Sequence, residues 1–559
     1  MILLLMSAAF AAPPPGLIPA LESELERATT ELQLQDDAPP YWVSYDVVDG
    51  QFATFFAEMG AVLSADVVPY RVMRVETRAG DATYDSGNFD AFGEANGVLS
   101  VRLPLDNDET AFRRSIWLAT DASYKQAVQQ LSRKRAELPP SDPAVSELPA
   151  MLFAEPVVDL SGGPLPLDAE GVKSTVVQLS KVLSEYPQLE QGQAAGRDWQ
   201  GQRITVSSEG TRLITDTGYT VIRVEAVLKH SDGSRLRNGR WWVARTAAEL
   251  PPMAEMEAEV REMAEWLIAL ENAPVLKEYL GPVLFEQAAS VELYRQLAAG
   301  ELVGTPPEAQ GRGMFGEAPI SRPTARVGRR LMPSGWTVVD DPNAQEAGRY
   351  VRDHEGVPGE GVVLIEDGVV RRVLNSRIPS KDAEKSTGHG RSMGAERREA
   401  MPSNVRVSPK RARAERAMRR KGLRMAAQTQ NEGLLVIRRI EPPAMSEDMD
   451  ITFMGEGPGA GLTRPYEAYL LMPDGSEQPV RGLQFSGVDR RALRDVVLAG
   501  ETAAPVGVMD GPPGPERFYI GAVGGLPGSW AVPAVLVSEL ELDGSGGGDK
   551  RVLARPPAE

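Results

Sequence analysis

The chain has 559 residues, more than a single hydrophobic core serves, so about two or three domains are expected. It is 42% hydrophobic and 25% charged, as a globular protein is, and its net charge of −18 argues against general affinity for nucleic acid or anionic membrane. It has no cysteine and only three histidines, His230, His354 and His389. That composition excludes disulfides and thiolate zinc sites and leaves few imidazoles for any metal.

The chain opens with "MILLLMSAAFAAPPPG". An apolar stretch, an A-x-A pattern at Ala9-Phe10-Ala11 and a proline brake predict a signal peptide over residues 1–12, with export to the periplasm or outside. A basic n-region is missing, so a frayed apolar terminus or a misassigned start is the alternative. No other run is long and apolar enough for a membrane helix.

Leu17, Leu21, Leu25, Ala28 and Leu32 recur at helical spacing. Residues 41–78 read as strands, with Asp49-Gly50 as the turn between them. "DETAFRRSIWLATDASYKQAVQQLSRKRAEL" reads as two helical pieces, interrupted or recapped at Asp121. Residues 140–168, rich in Pro, Asp and Gly, form a long connection, and a helix follows from about Ala169 to Tyr186. Ile222, Val224, Ala226 and Leu228 alternate as in a strand, and "SDGS" turns it into "RLRNGRWWVAR", a hairpin. Met253, Met256, Val260, Met263, Leu267 and Leu270 make one helical face, read as core packing in preference to a binding groove.

Beyond about residue 275, short β-like runs alternate with Gly and Pro, and Asp367-Gly368 and Asp474-Gly475 signal turns. The expected class is α+β. An N-terminal α/β domain with a mixed sheet and helices (13–275) precedes a β-rich, mostly antiparallel C-terminal domain (276–542) and a flexible tail (543–559). Residues 371–425 hold 17 Lys or Arg against 5 Asp or Glu. Such a block either pairs its charge internally, the favoured reading, or docks an acidic partner. "GEGPGAG" (455–461) lacks the lysine and helix of a phosphate-binding loop, and no nucleophile elbow accompanies a triad.

One stretch carries chemistry. "GPVLFEQAASVELYRQ" (281–296) runs from an apolar strand into an acid, Glu286, and then a helix. Together with "RRSIWLATDASYKQAVQQLSRKRAEL", "DDPNAQEAGRYVRDHEGVPGEGVVLIEDGVVRRVLNSRIPSKDAEKSTGHGRS", "MPSNVRV" and "YLLMPDGSEQPVRGLQFSGVDRRALRDVV", it resembles the TldD/PmbA (TldD/TldE) metallopeptidase-like family, in its exported branch. The resemblance implies an N-terminal α/β domain, a β-rich C-terminal domain, and pairing as a homo- or hetero-oligomer with a TldD/TldE-like protein that handles peptide or protein substrates. No nucleic-acid partner is expected, on the acidic net charge, the predicted export and the absence of aromatics interleaved with the basic block.

Active members carry H-E-x-x-x-H and a cysteine in the C-terminal half. Here Phe285 takes the first histidine position, Glu286 matches the glutamate, Ser290 takes the second histidine position, and the cysteine has no counterpart. A catalytic zinc needs about three protein ligands, which this set does not supply. No cofactor and no metal ligand is therefore expected, and Glu286 has no zinc-bound water to activate. On an ideal helix Glu286 and Ser290 lie about 40° apart, whereas positions 285 and 290 lie about 140° apart. "FEQAAS" then reads as a helix start, with Phe285 closing the first-domain core and Glu286 near the helix N-terminus. His389, between glycines in "STGHGRS", is a candidate substrate contact, while Asp353, His354, Glu355 and Glu360 are weak candidates for a relocated metal site.

Two readings stand. One is an exported pseudopeptidase that binds peptides or serves as a partner subunit. The alternative is an active metal-dependent peptidase with non-standard ligands.

Overall fold

The structure, a computed structural model, describes residues 12–34, 39–90, 97–141, 148–310, 326–392, 397–443, 462–501, 503–510 and 525–544. The leader-like residues 1–11, the glycine-rich 455–461 and the tail from 545 lie outside the described residues.

The N-terminal half is built on long antiparallel strands. These are β1 (Trp42–Glu58), β2 (Ala61–Arg78), β3 (Val98–Arg102), β4 (Leu189–Ser207), β5 (Arg212–Lys229) and β6 (Arg235–Ala244). With the two-residue strand Val158–Asp159 they form one sheet, in the order β3-β2-β1-β4-β5 with β6 also on β5. Side chains alternate across it. Tyr45 and Val47 turn toward helices α1 (Leu17–Thr30) and α2 (Glu109–Glu137) in one core. Farther along the same face of β1, Ala53, Phe55 and Ala57 turn toward α3 (Ala169–Leu183) and α4 (Met253–Ala269) in a second. The methionine stripe of α4 is core: Met256, Val260, Met263, Leu267 and Leu270 are all buried there.

The C-terminal half contains two larger sheets. In one, β7 (Glu278–Phe285) lies between a parallel partner, β11 (Leu434–Ile440), and an antiparallel one, β16 (Val535–Gly544). Strands β12 (Pro465–Leu471) and β13 (Glu477–Val480) extend it beyond β11. The other contains β8 (Trp336–Asp340), β9 (Val362–Glu366), β10 (Asn404–Pro409), β14 (Val506–Asp510) and β15 (Leu526–Ala531). Helix α5 (Gln287–Leu302) follows β7, and α6 (Glu415–Gln428) precedes β11. The expected α+β class is what the structure has: a mixed α/β N-terminal region, then a more β-rich one.

From Gly281 to Phe285 strand β7 is buried on both faces, as an interior strand with a continuous apolar run should be. Val283 and Phe285 face a core made wholly of C-terminal residues. Leu284 faces the core that α3, α4 and the N-terminal sheet share with Leu434, Val436 and Leu536. Phe285 therefore does not close the first-domain core, contrary to the sequence expectation, because strand alternation turns it the other way.

Other expectations also shift. Asp49-Gly50 is not a turn. β1 runs straight through it, Asp49 accepts a hydrogen bond from Arg71 Nε at 2.7 Å, and a Cβ on Gly50 would stand 2.4 Å from the carbonyl oxygen of Gln200. The glycine is there for close strand approach. The turn falls at Met59-Gly60, with φ of 47° and 88°, a two-residue hairpin of the type that twist favours. α2 is one continuous helix. Asp108 caps it by accepting from the Ala111 amide at 2.7 Å, and Asp121 pairs with Lys125 one turn on at 2.7 Å instead of breaking it. β16 continues to Gly544, two residues into the segment expected as tail.

Candidate functional site

β7 ends at Phe285, and Glu286 is the capping residue from which α5 starts. Its extended backbone (φ −70°, ψ 167°) is right for that position, but its side chain makes no cap hydrogen bond. The carboxylate is instead drawn sideways. Tyr469 Oη donates to Glu286 Oε1 at 2.8 Å, Arg419 approaches the same oxygen at 3.4 Å, and Arg438 Nε lies 3.4 Å from Oε2. Arg438 also sits over the rings of Trp266 (4.8 Å) and Tyr469 (5.1 Å), where cation–π attraction holds it. Burial, with the charge of Glu286 added, pushes the Tyr469 phenol far above its ordinary range, so it remains a donor.

The positions on either side of Glu286 are closed. Phe285 is fully buried and stacks on Phe485 with ring centroids 6.2 Å apart. Ser290 is fully buried, and its hydroxyl donates to the Phe285 carbonyl oxygen at 3.2 Å. A phenyl ring has no lone pair for a metal, and this hydroxyl is engaged as a donor, so the residues present do not fit a zinc ion. Among the described residues no group of three or more His, Cys, Asp or Glu is placed to hold a metal.

The remaining candidates lie elsewhere. His389 is fully buried. Its Nε2 is 3.2 Å from Asp340 Oδ1, and its Nδ1 lies 3.0 Å from the Thr387 carbonyl oxygen. Asp340 also accepts from the Ser403 amide at 2.8 Å, so the group ties β8 to the chain entering β10. Asp353 accepts from the backbone amides of Glu355, Val357 and Gly390, and His354 Nδ1 accepts from the Ser392 amide at 3.1 Å. Glu355 accepts from the Arg377 amide and Glu360 from Arg372. These acids organise loops: backbone amides engage Asp353 and Glu355 and an arginine engages Glu360, and among the described residues they form no group of three placed to hold a metal.

Part of the basic block turns inward: Arg377, Arg391 and Arg398 are buried, whereas most of the rest, among them Arg411, Arg413, Arg416, Arg420 and Arg424, is exposed. Arg377 makes a bidentate pair with Glu209, both bonds 2.7 Å, and Arg398 reaches Asp46 of β1 at 2.8 Å. Arg406 pairs with Glu346 at 2.8 Å and Arg419 with Glu477 at 2.7 Å. Arg377 and Arg398, with Glu76, Arg78, Glu209 and Glu355, border a small polar cavity where the outer face of the N-terminal sheet meets C-terminal loops. Burial pushes Asp46 upward, but Arg203, Arg398 and Arg74 outweigh it and hold the carboxyl below its ordinary value.

Comparison with known proteins gives the same frame. Residues 280–544 match the family described as PmbA/TldA metallopeptidase C-terminal domain. A metalloprotease of Methanocaldococcus jannaschii is 26% identical over 256 residues, 44% of this chain and 52% of that protein. One of Archaeoglobus fulgidus is 35% identical over 71 residues, 13% of this chain and 17% of that one. The matched region thus spans about half the length of the first relative and less than a fifth of the second. TldE from Thermococcus kodakarensis shares the fold, with a TM-score of 0.59 at 14% identity over 94% of this chain and 100% of that one. The chain has family-level similarity to TldD/PmbA/TldE metallopeptidase-like proteins.

Proposed function

We propose that this chain is a pseudopeptidase of the TldD/TldE kind: an exported protein that holds peptides or supports a partner subunit without binding its own zinc. The observation that carries the reading is the filled metal position. Phe285 is packed on Phe485, Ser290 bonds back to its own turn, and Glu286 is held by Tyr469, Arg419 and Arg438. Export rests on the apolar, A-x-A-bearing N-terminus alone. Among the described residues no helix is long and apolar enough to cross a membrane.

The test is metal analysis of the purified protein together with a peptidase assay before and after chelation. The expected result is no stoichiometric zinc and no chelator-sensitive cleavage. Stoichiometric zinc, with activity that chelation removes, overturns the proposal and favours non-standard ligands.

A further inference from the structure

Strand β2 is covered unevenly. β1 pairs along its whole length, but β3 pairs only with Val72–Glu76. Among the described residues, nothing pairs with the outer edge over residues 61–69. Every residue from Ala61 to Pro69 is exposed, including Val62 at 46%, Leu63 at 55%, Val67 at 40% and Val68 at 51%. An edge strand this apolar is a template for another strand. Soluble proteins commonly blunt such edges with lysines or inward-pointing charges, and here Asp66 is the sole charge between Ala61 and Pro69.

The direction of the free edge can be read from its neighbour. Leu103 N donates to the Arg71 carbonyl oxygen, so Arg71 turns its backbone groups outward, toward β3. Alternation along the strand then turns Pro69, Val67 and Ala65 outward as well. Pro69 has no N–H to offer there, which ends the outer donor row on that side. At the other end, Leu63 is the extra residue of a bulge and has no partner on β1.

The sequence between these two limits is nearly a palindrome in character. Val62-Leu63-Ser64-Ala65-Asp66-Val67-Val68 reads apolar, apolar, polar, small, polar, apolar, apolar in both directions. We infer that this edge pairs antiparallel with the same edge of a second copy of the chain, about a twofold axis through Ala65. In that register Leu63 faces Val67, Val62 faces Val68 and Ser64 faces Asp66. Each acid then meets a hydroxyl instead of its own twin, and apolar side chains meet apolar ones, the two terms that stabilise a cross-strand pair. The contact is isologous, as a closed dimer requires. Other registers break the match: a slip of two residues sets Asp66 directly opposite its symmetry mate or apolar residues opposite polar ones. A ladder of this length buries less than the roughly 1,200 Å² typical of stable complexes, so the association is weak and concentration-dependent. The inference does not depend on how the zinc position is read.

Because the chain has no cysteine, single-cysteine variants report the register directly. Outward-facing residues paired across the axis have Cα atoms about 5.5 Å apart, within disulfide range. Full-length Ala65→Cys is expected to form a covalent dimer on mild oxidation at least tenfold faster than Asp66→Cys or Val68→Cys. Adding Val67→Lys, a surface change that sets a lysine against Leu63, is expected to abolish the cross-link while the melting curve stays unchanged. Sedimentation of the unmodified protein across a concentration series is expected to show reversible dimers that Val67→Lys removes. Equal cross-linking at the three positions, a monomer at every concentration, or a dimer that survives Val67→Lys overturns the inference.

Discussion

Phe285 combines two roles that a histidine at the same point could not. It offers no lone pair to a metal, and it fills the space with a ring that stacks on Phe485. Truncating a fully buried phenyl removes its packing and leaves a cavity, so Phe285→Ala is expected to cost about 3–5 kcal/mol in chemical denaturation. A loss under about 1 kcal/mol would mean the ring is not packed as described. The substitutions at 285 and 290 were legible in the sequence, because they sit within one short motif whose chemistry is specific. What holds Glu286 was not. Tyr469, Arg419 and Arg438 come from more than 130 positions away, on β12, α6 and β11, and no local pattern marks them as its partners.

At the level of elements, α6 ends in a motif that is complete in geometry but not in residue choice. Asn431 N donates to the Ala426 carbonyl oxygen at 2.9 Å and Gln430 N to that of Ala427 at 3.3 Å, a Schellman arrangement with Gln430 at φ 61°. That left-handed position is easy for glycine and costly for a residue with a Cβ. Gln430→Gly is therefore expected to stabilise the protein by about 0.5–1 kcal/mol, read as a raised thermal midpoint; a lowered midpoint would show that the Gln430 side chain earns its place by contacts. The same scale shows where sequence patterns served and failed. Periodicity located α4 and the hairpin between β5 and β6, since both obey short-range rules. It misplaced the β1–β2 turn because Asp-Gly carries a strong local signal, whereas Gly50 answers to the backbone of β4, about 150 residues on.

For the molecule as a whole, the halves meet over polar as well as apolar surface, and the polar part is sensitive to pH. His354 is held neutral: burial is the largest cause, and the nearby charges of Arg203, Arg391 and Arg398 add to it, so its pKa lies well below the ordinary histidine value. The amide of Ser392 donates to its Nδ1, which requires the neutral ring. In the unfolded chain the imidazole titrates near 6.5. Above that pH both states are neutral and the contribution is whole. As pH falls below it the unfolded state gains a proton that the native state refuses, and stability drops by up to about 1.4 kcal/mol per pH unit.

Burial pushes Asp353 up to about 8 and raises Glu355 as well, and these act with the opposite sign, since the native state keeps protons that the unfolded state loses. The informative quantity is thus the difference between wild type and His354→Gln. It is expected to be flat above pH 7 and to fall progressively from pH 6.5 to 5; a difference independent of pH would show that His354 does not titrate between the two states. The sequence contained His354 but not its surroundings, because Arg203 reaches it from β4, and Arg391 and Arg398 are among the few members of the basic block that the fold buries.

One strand gives these scales a common point. Along β7, neighbouring residues answer to different interiors: Val283 and Phe285 to one, Leu284 to the other. Sequence drift in this chain is then not free to proceed half by half. Any change that shifts the strand to suit one interior moves the residue that seals the other, so the segment that leads into Glu286 resists change without an answering change on both sides. Such a strand would keep its course whatever chemistry stood at its end.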